Sequence, residues 1–237
     1  MATRAGTSSR GEHQLPPGPH GLSRSFVARN QRERILAAVA DATSEAGYGS
    51  TSVEDVIARA GVSRRTFYDL FDNKLDAFLA AYDEVVRRLL KGVREADADQ
   101  TDFAARVTAG LGAFLDSLSA SPAFARMCIV EVLAAGPEAV RRRNDAMAAF
   151  RSIIEEEADR LLDRKPHSPV AVEMLVGGIY ETVYSRIADG RTTDLGDLLP
   201  ELVYAAVLPH LGEDAAVAAR RSVLESAAIG RSSHVTS

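Results

Sequence analysis

The sequence predicts an all-α protein in which an N-terminal three-helix helix-turn-helix DNA-binding domain precedes a larger helical ligand-binding and dimerisation domain. Three observations predict it. Apolar residues recur at three- and four-residue spacing from Val27 to Leu211. Alternating Val/Ile/Thr runs bounded by hairpin turns, the mark of a sheet, are missing. Pro122, Pro137 and Pro169 stand where helices open, and Gly47 and Gly61 where they stop.

Residues 1–24 hold Ser, Gly, Pro and charge without periodicity and are expected to be a disordered tail. They carry Arg4, Arg10 and Arg24 against one acid, Glu12, so the arm is either a solvated tail or a phosphate contact. The first helix is expected from Val27 to Ala46, with Ile35, Leu36, Val39 and Ala42 inward. Thr51-Ser52-Val53-Glu54 reads as a capping box opening the second helix, whose inner face is Val53, Val56, Ile57 and Ala60. The third is short, Ser63 to Phe71, and Asp72-Asn73 break it. A fourth runs from Lys74 to about Ala96, and a fifth from Asp102 to Ser119. Helices then follow from Pro122 to about Ala135, Pro137 to about Arg164 and Pro169 to about Gly190. The next spans Leu195 to Leu211, with Pro200 expected to kink its first turns, and Glu213 to Ala228 can be helical. The organisation expected is thus a tail (1–24), a DNA-binding unit (25–73), a body (74–212) and a C-terminal helix and tail (213–237).

Charge is unevenly placed. The formal net charge is −5, yet residues 1–74 carry 10 basic and 8 acidic side chains. A mildly basic start before an acidic body suits a local nucleic-acid contact, not a protein coated in positive charge. A single cysteine, Cys128, precludes an internal disulfide or a Cys-rich zinc site and reads as a small buried hydrophobe. No apolar run approaches ~18 residues, so no membrane span is expected. The start, Met1-Ala2-Thr3-Arg4, lacks an apolar signal core, and the expected location is the cytoplasm. Catalysis finds little support. His13, His20, His167, His210 and His234 lie in tails, a linker and a helix end, and no Gly-x-Ser-x-Gly, His-x-x-x-His or phosphate-loop pattern occurs. Glu155-Glu156-Glu157 cannot face one metal from adjacent helix positions and reads as a solvated face. No cofactor and no metal are expected.

Residues 51–68 carry the functional signal. Two short helices meet at a turn opened by Gly61, which can take the left-handed conformation. Ala58 is small where the helices would cross, Val62 plugs the space between them, and Ser63 caps the next helix. That leaves Arg64, Arg65 and Thr66 on an exposed first turn, while Phe67 points to the core. Such a helix fits a major groove, where Arg suits guanine and the Thr methyl suits the thymine methyl. The rival from this segment alone is a plain helical hairpin with a polar turn.

The longer pattern decides between them. Gly47-Tyr48, Thr51-Ser52-Val53, Ala60-Gly61-Val62-Ser63, Thr66-Phe67-Tyr68, Phe71 and Lys74 closely resemble the DNA-binding domain of the TetR (tetracycline-repressor) family over about residues 29–80. The resemblance implies a dimeric regulator, usually a repressor, released from a palindromic double-stranded operator by a small molecule. It implies that Arg64, Arg65 and Thr66 face bases, that Tyr68 presses on the backbone, and that Thr51 or Ser52 and Lys74 hold phosphates. The chain departs from the pattern at Arg65, often small in the family; at Asp69 and Leu70, often His; and at Thr43, usually Phe. Asp69 would repel phosphate unless it pairs with Arg65 at i+4.

The resemblance also implies that the last two long helices pair with their mates. Leu175, Ile179, Val183, Leu198, Leu202 and Val203 are the expected homodimer interface, with Gly177-Gly178 allowing close approach. A small hydrophobic or amphipathic effector would lie among Phe78, Tyr82, Phe103, Phe114, Phe124, Met127, Met147, Phe150 and Tyr180, each of which can equally be core packing. Glu131, on a largely apolar helix, is either exposed or a polar anchor in that cavity.

Overall fold

A computed structural model of the chain describes residues 24–162 and 169–234. The arm bearing Arg4, Arg10 and Glu12, with His13 and His20, lies outside the described residues, as do the linker with His167 and residues 235–237. All regular structure among the described residues is helical: α1 (Arg24–Ala46), α2 (Val53–Ala60), α3 (Arg64–Tyr68), α4 (Lys74–Glu95), α5 (Phe103–Ser119), α6 (Pro122–Ile129), α7 (Pro137–Leu161), α8 (Pro169–Ala188), α9 (Leu199–Leu211) and α10 (Glu213–His234). Short 3-10 segments follow α6 (Glu131–Leu133) and precede α9 (Thr192–Leu198).

Local chemistry fixes most of the boundaries. Ser52, Ser63, Asn73 and Asp102 cap α2, α3, α4 and α5, each accepting a backbone N–H three residues on. The capping box sits one residue later than expected. Ser52 and Asp55 form it, because the Thr51 hydroxyl is buried and donates instead to the carbonyls of Gly47 (2.9 Å) and Ala42 (3.2 Å). Gly61 ends α2 in the left-handed conformation, φ 59° and ψ 41°. The Arg34 guanidinium seals that turn by donating to the carbonyls of Ala60 and Gly61. Ala58 is exposed, and Ala60 is the small residue buried beside α1. Pro200 kinks nothing. It occupies the first turn of α9, where its missing N–H costs no helical bond, and the residues before it wind as a 3-10 segment.

The helices α1–α3 form a head and α5–α10 a body, and α4 belongs to both. Its buried Ala77, Phe78 and Ala81 pack toward the head, and Tyr82, Val85 and Leu89 continue inward. One apolar core runs from Ile35, Val39, Val56 and Phe67 in the head through α4 to Leu115, Met127, Val132 and Ile187 in the body. Thr43, where the family usually has Phe, is fully buried and satisfied by donating to the Val39 carbonyl at 2.8 Å. The helix α10 lies along α9, burying Ala216 and Val223 and pairing Arg220 with Glu201 at 2.5 Å.

Candidate nucleic-acid interface and ligand cavity

The third helix is held from three sides. Ser63 accepts from the Thr66 amide at 3.0 Å, Phe67 is fully buried, and its ring meets Phe71 at 5.8 Å and Tyr68 edge-on at 5.3 Å. With Phe67 anchored, neighbouring positions must face out. The Arg65 side chain is 90% exposed and Tyr68 is 44% exposed. Arg64 reaches back to Glu54 at 2.6 Å and lies over the Tyr68 ring. Asp69 stands 3.7 Å from Arg65, a loose exposed contact of little energy that still offsets its repulsion for phosphate. The Thr66 hydroxyl sits 2.8 Å from that of Ser63.

Lys74 is placed differently from a free phosphate ligand. Its ammonium donates to the carbonyls of Thr51 at 2.7 Å and Tyr48 at 2.8 Å, and lies 4.1 Å from the centroid of the Tyr48 ring. Burial draws its pKa below the ordinary lysine value. Lys74 therefore ties α4 to the turn between α1 and α2, with one donor left over. Thr51, 3% exposed with its hydroxyl spent inside, has nothing to offer a phosphate. Ser52 keeps an accessible position at the start of α2, although its hydroxyl is engaged by Asp55 at 2.6 Å. We expect Lys74→Met, which strips both carbonyls of a charged donor, to lower stability by ~1–3 kcal/mol in thermal unfolding.

Glu131 is neither exposed nor in a cavity. It is 7% exposed, and its Oε2 accepts the Tyr48 backbone N–H at 2.8 Å while Oε1 faces Arg126 Nε at 3.4 Å. The Tyr48 backbone is thus gripped at its N–H by the body and at its carbonyl by α4. Both grips act on the turn that leads into α2.

The body encloses a cavity of about 130 Å3 between α4, α5, α6, α7, α8 and α9. Tyr82, Phe114, Met147, Phe150 and Tyr180 stand on its wall, as expected of candidate lining residues. Phe78, Phe103, Phe124 and Met127 do not. Phe78 packs edge-on against Tyr48 at 5.0 Å, Phe103 lies against His210, Met127 is fully buried in the core, and Phe124 packs on that core. The Tyr180 hydroxyl, its pKa pushed up to about 12 by burial, donates to the Ile129 carbonyl at 2.7 Å. Cys128 is on the wall with its thiol pKa raised by burial, so it stays protonated and unreactive. Glu157, expected on a solvated face, instead pairs with the buried Arg106 at 3.1 Å at one end of the cavity. Arg106 also donates to the carbonyls of Val93, Arg94 and Ala96, capping α4.

The expected dimer residues divide. Val183 and Val203 are fully buried, and Leu198 and Leu202 are 7% exposed, all within one chain. These four side chains are packed mainly in the chain's own core and leave little surface for a partner. Ile179 is half-buried on the cavity wall, and Leu175 is half-buried.

Residues 35–81 match the model of the tetR family of bacterial regulatory proteins. From within α1 to the first turns of α4 the chain is thus similar to that family. It is 30% identical over 116 residues to the HTH-type transcriptional activator FasR of Mycolicibacterium smegmatis, covering 49% of this chain and 53% of the relative. It therefore spans about half the length of that relative. Its fold is similar to that of the fatty acid degradation regulator FadR of Bacillus halodurans, with TM-score 0.68 and 19% identity over 75% of this chain and 94% of that one. It is also similar to that of FadR from Bacillus subtilis in complex with stearoyl-CoA, with TM-score 0.66 and 18% identity over 76% and 98%.

Several wall residues were missed by reading the sequence for aromatics. Arg143, Ala146, Ile153, Ile154 and Glu157 are the residues missed; with the expected Met147 and Phe150 they share one stripe of α7 at helical spacing, and all line the cavity. That spacing was available in the sequence. The grip of Glu131 on Tyr48 was not, because 83 residues separate the partners.

Proposed function

We propose that this chain is a DNA-binding transcriptional regulator of the tetR family. It would bind a palindromic duplex as a two-fold dimer and be released by a small hydrophobic or amphipathic molecule in the body cavity. The observation that carries the reading is α3, which offers Arg65 and Tyr68 to solvent from a turn locked by Ser63 and buried Phe67. Arg64 and Thr66 stand beside them, and Ser52 opens the neighbouring helix. The relation to FasR supports a role in transcription, and stearoyl-CoA in the B. subtilis FadR complex supports an acyl-bearing effector.

The dimer reading now rests on the outer face of α8. Met174 is 72% exposed there, and a Cβ built on Gly177 or Gly178 would meet nothing within 4 Å inside the chain. The cost of two helix-interior glycines, ~1 kcal/mol each, has no intramolecular return, which favours a second copy approaching closely at this face.

Selection of duplexes from a random library by the purified full chain tests the reading. A two-fold symmetric sequence should be enriched. Arg65→Ala and Tyr68→Ala should each weaken its binding by ~1–3 kcal/mol, with a smaller change on unrelated duplexes for Arg65→Ala. No preference among duplexes at moderate salt would defeat the proposal.

A further inference from the structure

On α7 three arginines stand in a row with different surroundings. Arg141 pairs with Glu138, and Arg142 with Asp83 and Glu138. Arg143 faces the cavity and takes part in none of the ion pairs among the described residues. Its Nε is sealed from solvent with no acceptor, and its Nη1 meets only the weak acceptor Sδ of Met147, at 3.0 Å. Its guanidinium lies 4.9 Å from the Tyr180 ring, whose hydroxyl is already given to Ile129. A cationic fork with an unused buried donor is costly to leave unmatched, and an anion is what satisfies it.

The rest of the wall says what such an anion would be attached to. From Arg143 the α7 stripe continues through Met147, Phe150 and Ile154, so the apolar lining extends for about three helical turns, ~16 Å by helical rise. Val86 and Leu89 of α4 face it. At the far end the Arg106–Glu157 pair is internally neutralised and offers no net charge. The cavity is therefore an apolar slot with one uncompensated positive charge at one end.

We propose that the effector site takes a long-chain aliphatic anion, with the negatively charged head on the Arg143 guanidinium and the tail between α4, α5 and α7. This deepens the effector reading above and rests on it. Arg143 acts as the selectivity residue, choosing a carboxylate over an uncharged head of the same tail length.

Calorimetric titration of the full chain with palmitate, 1-hexadecanol and palmitoyl-CoA tests it, with Arg143→Leu and Arg143→Lys as variants and circular dichroism melts to check their folding. The wild type should bind palmitate roughly tenfold or more tighter than the alcohol. Arg143→Leu should bring palmitate down to the alcohol's level and leave the alcohol within about twofold. Arg143→Lys should keep the preference. Equal binding of palmitate and alcohol by the wild type, failure of palmitate to bind it, or equal loss of both in folded Arg143→Leu overturns the proposal. So does palmitoyl-CoA binding that ignores Arg143 while palmitate shows no preference over the alcohol. The selected duplex separates this inference from the parent reading. If the alcohol binds as well as palmitate and releases the duplex, the anionic anchor fails and the regulator reading stands. If palmitate binds through Arg143 and leaves the duplex in place, the anchor stands and ligand release fails.

Discussion

Replacing Phe67 with alanine is expected to destabilise the protein by ~3–5 kcal/mol, as deleting a fully buried ring from a close-packed core does. Phe67 has no exposed surface and joins α3 to Phe71 and to the core shared with α1 and α2. A helix of five residues has no independent stability, so losing its only fully buried side chain releases it. Arg65 and Tyr68 would then lose the fixed spacing that the proposed DNA contact requires. Denaturant unfolding of the full chain should show the midpoint fall sharply, with duplex binding lost under conditions where the wild type binds. Because head and body share one core, a single transition is expected to shift. A midpoint and duplex affinity equal to the wild type's would contradict the account of how α3 is held.

The architecture was legible in the sequence where the controlling interactions are local. Ser63, Gly61 and the prolines at the openings of α6, α7 and α8 act within a few residues of themselves, and the helices begin or end there. Even so, the capping box moved from Thr51 to Ser52, because a tertiary choice, burial of the Thr51 hydroxyl against α1, took the first candidate away. The exposure of Arg65 follows from the first turn that Ser63 caps, whereas an outward Tyr68 is legible only through the family resemblance. Lys74 and Glu131 were not legible. A lysine at a helix start and a glutamate in an apolar run have the same local pattern whether they meet solvent, ligand or a carbonyl across the fold. Only the docking of α6 on α1 places Glu131 beside the Tyr48 amide. The dimer residues show a related limit of pattern: apolar periodicity marks burial without saying by what, and Val183, Leu202 and Val203 are buried by their own chain.

The second large effect is expected at Glu131. The hydrogen bond from Tyr180 fixes the Ile129 carbonyl at the end of α6, two residues before Glu131, and Glu131 holds the turn leading into α2. An effector that displaces Tyr180 or α6 would thereby move the head, provided it binds the DNA-incompetent state more tightly. Glu131→Ala should leave the Tyr48 N–H without its acceptor and cost ~1–3 kcal/mol in stability, toward the low end because Arg126 remains partly solvated. Its larger effect should be on coupling. Duplex binding should persist while most of the effector-induced loss of affinity disappears, read by fluorescence anisotropy with palmitate as the probe. Glu131→Ala that responds to palmitate as the wild type does would remove this contact from the route.

The central claim is that cavity and DNA-binding head are thermodynamically linked. Calorimetric titration of the wild-type chain with palmitate, with and without a saturating amount of the selected duplex, measures that link directly. By reciprocity the duplex must weaken palmitate binding by the same factor that palmitate weakens the duplex, an expected ~5–150-fold for a coupling of ~1–3 kcal/mol. Equal palmitate affinities in the two titrations would contradict the account, however tightly palmitate binds.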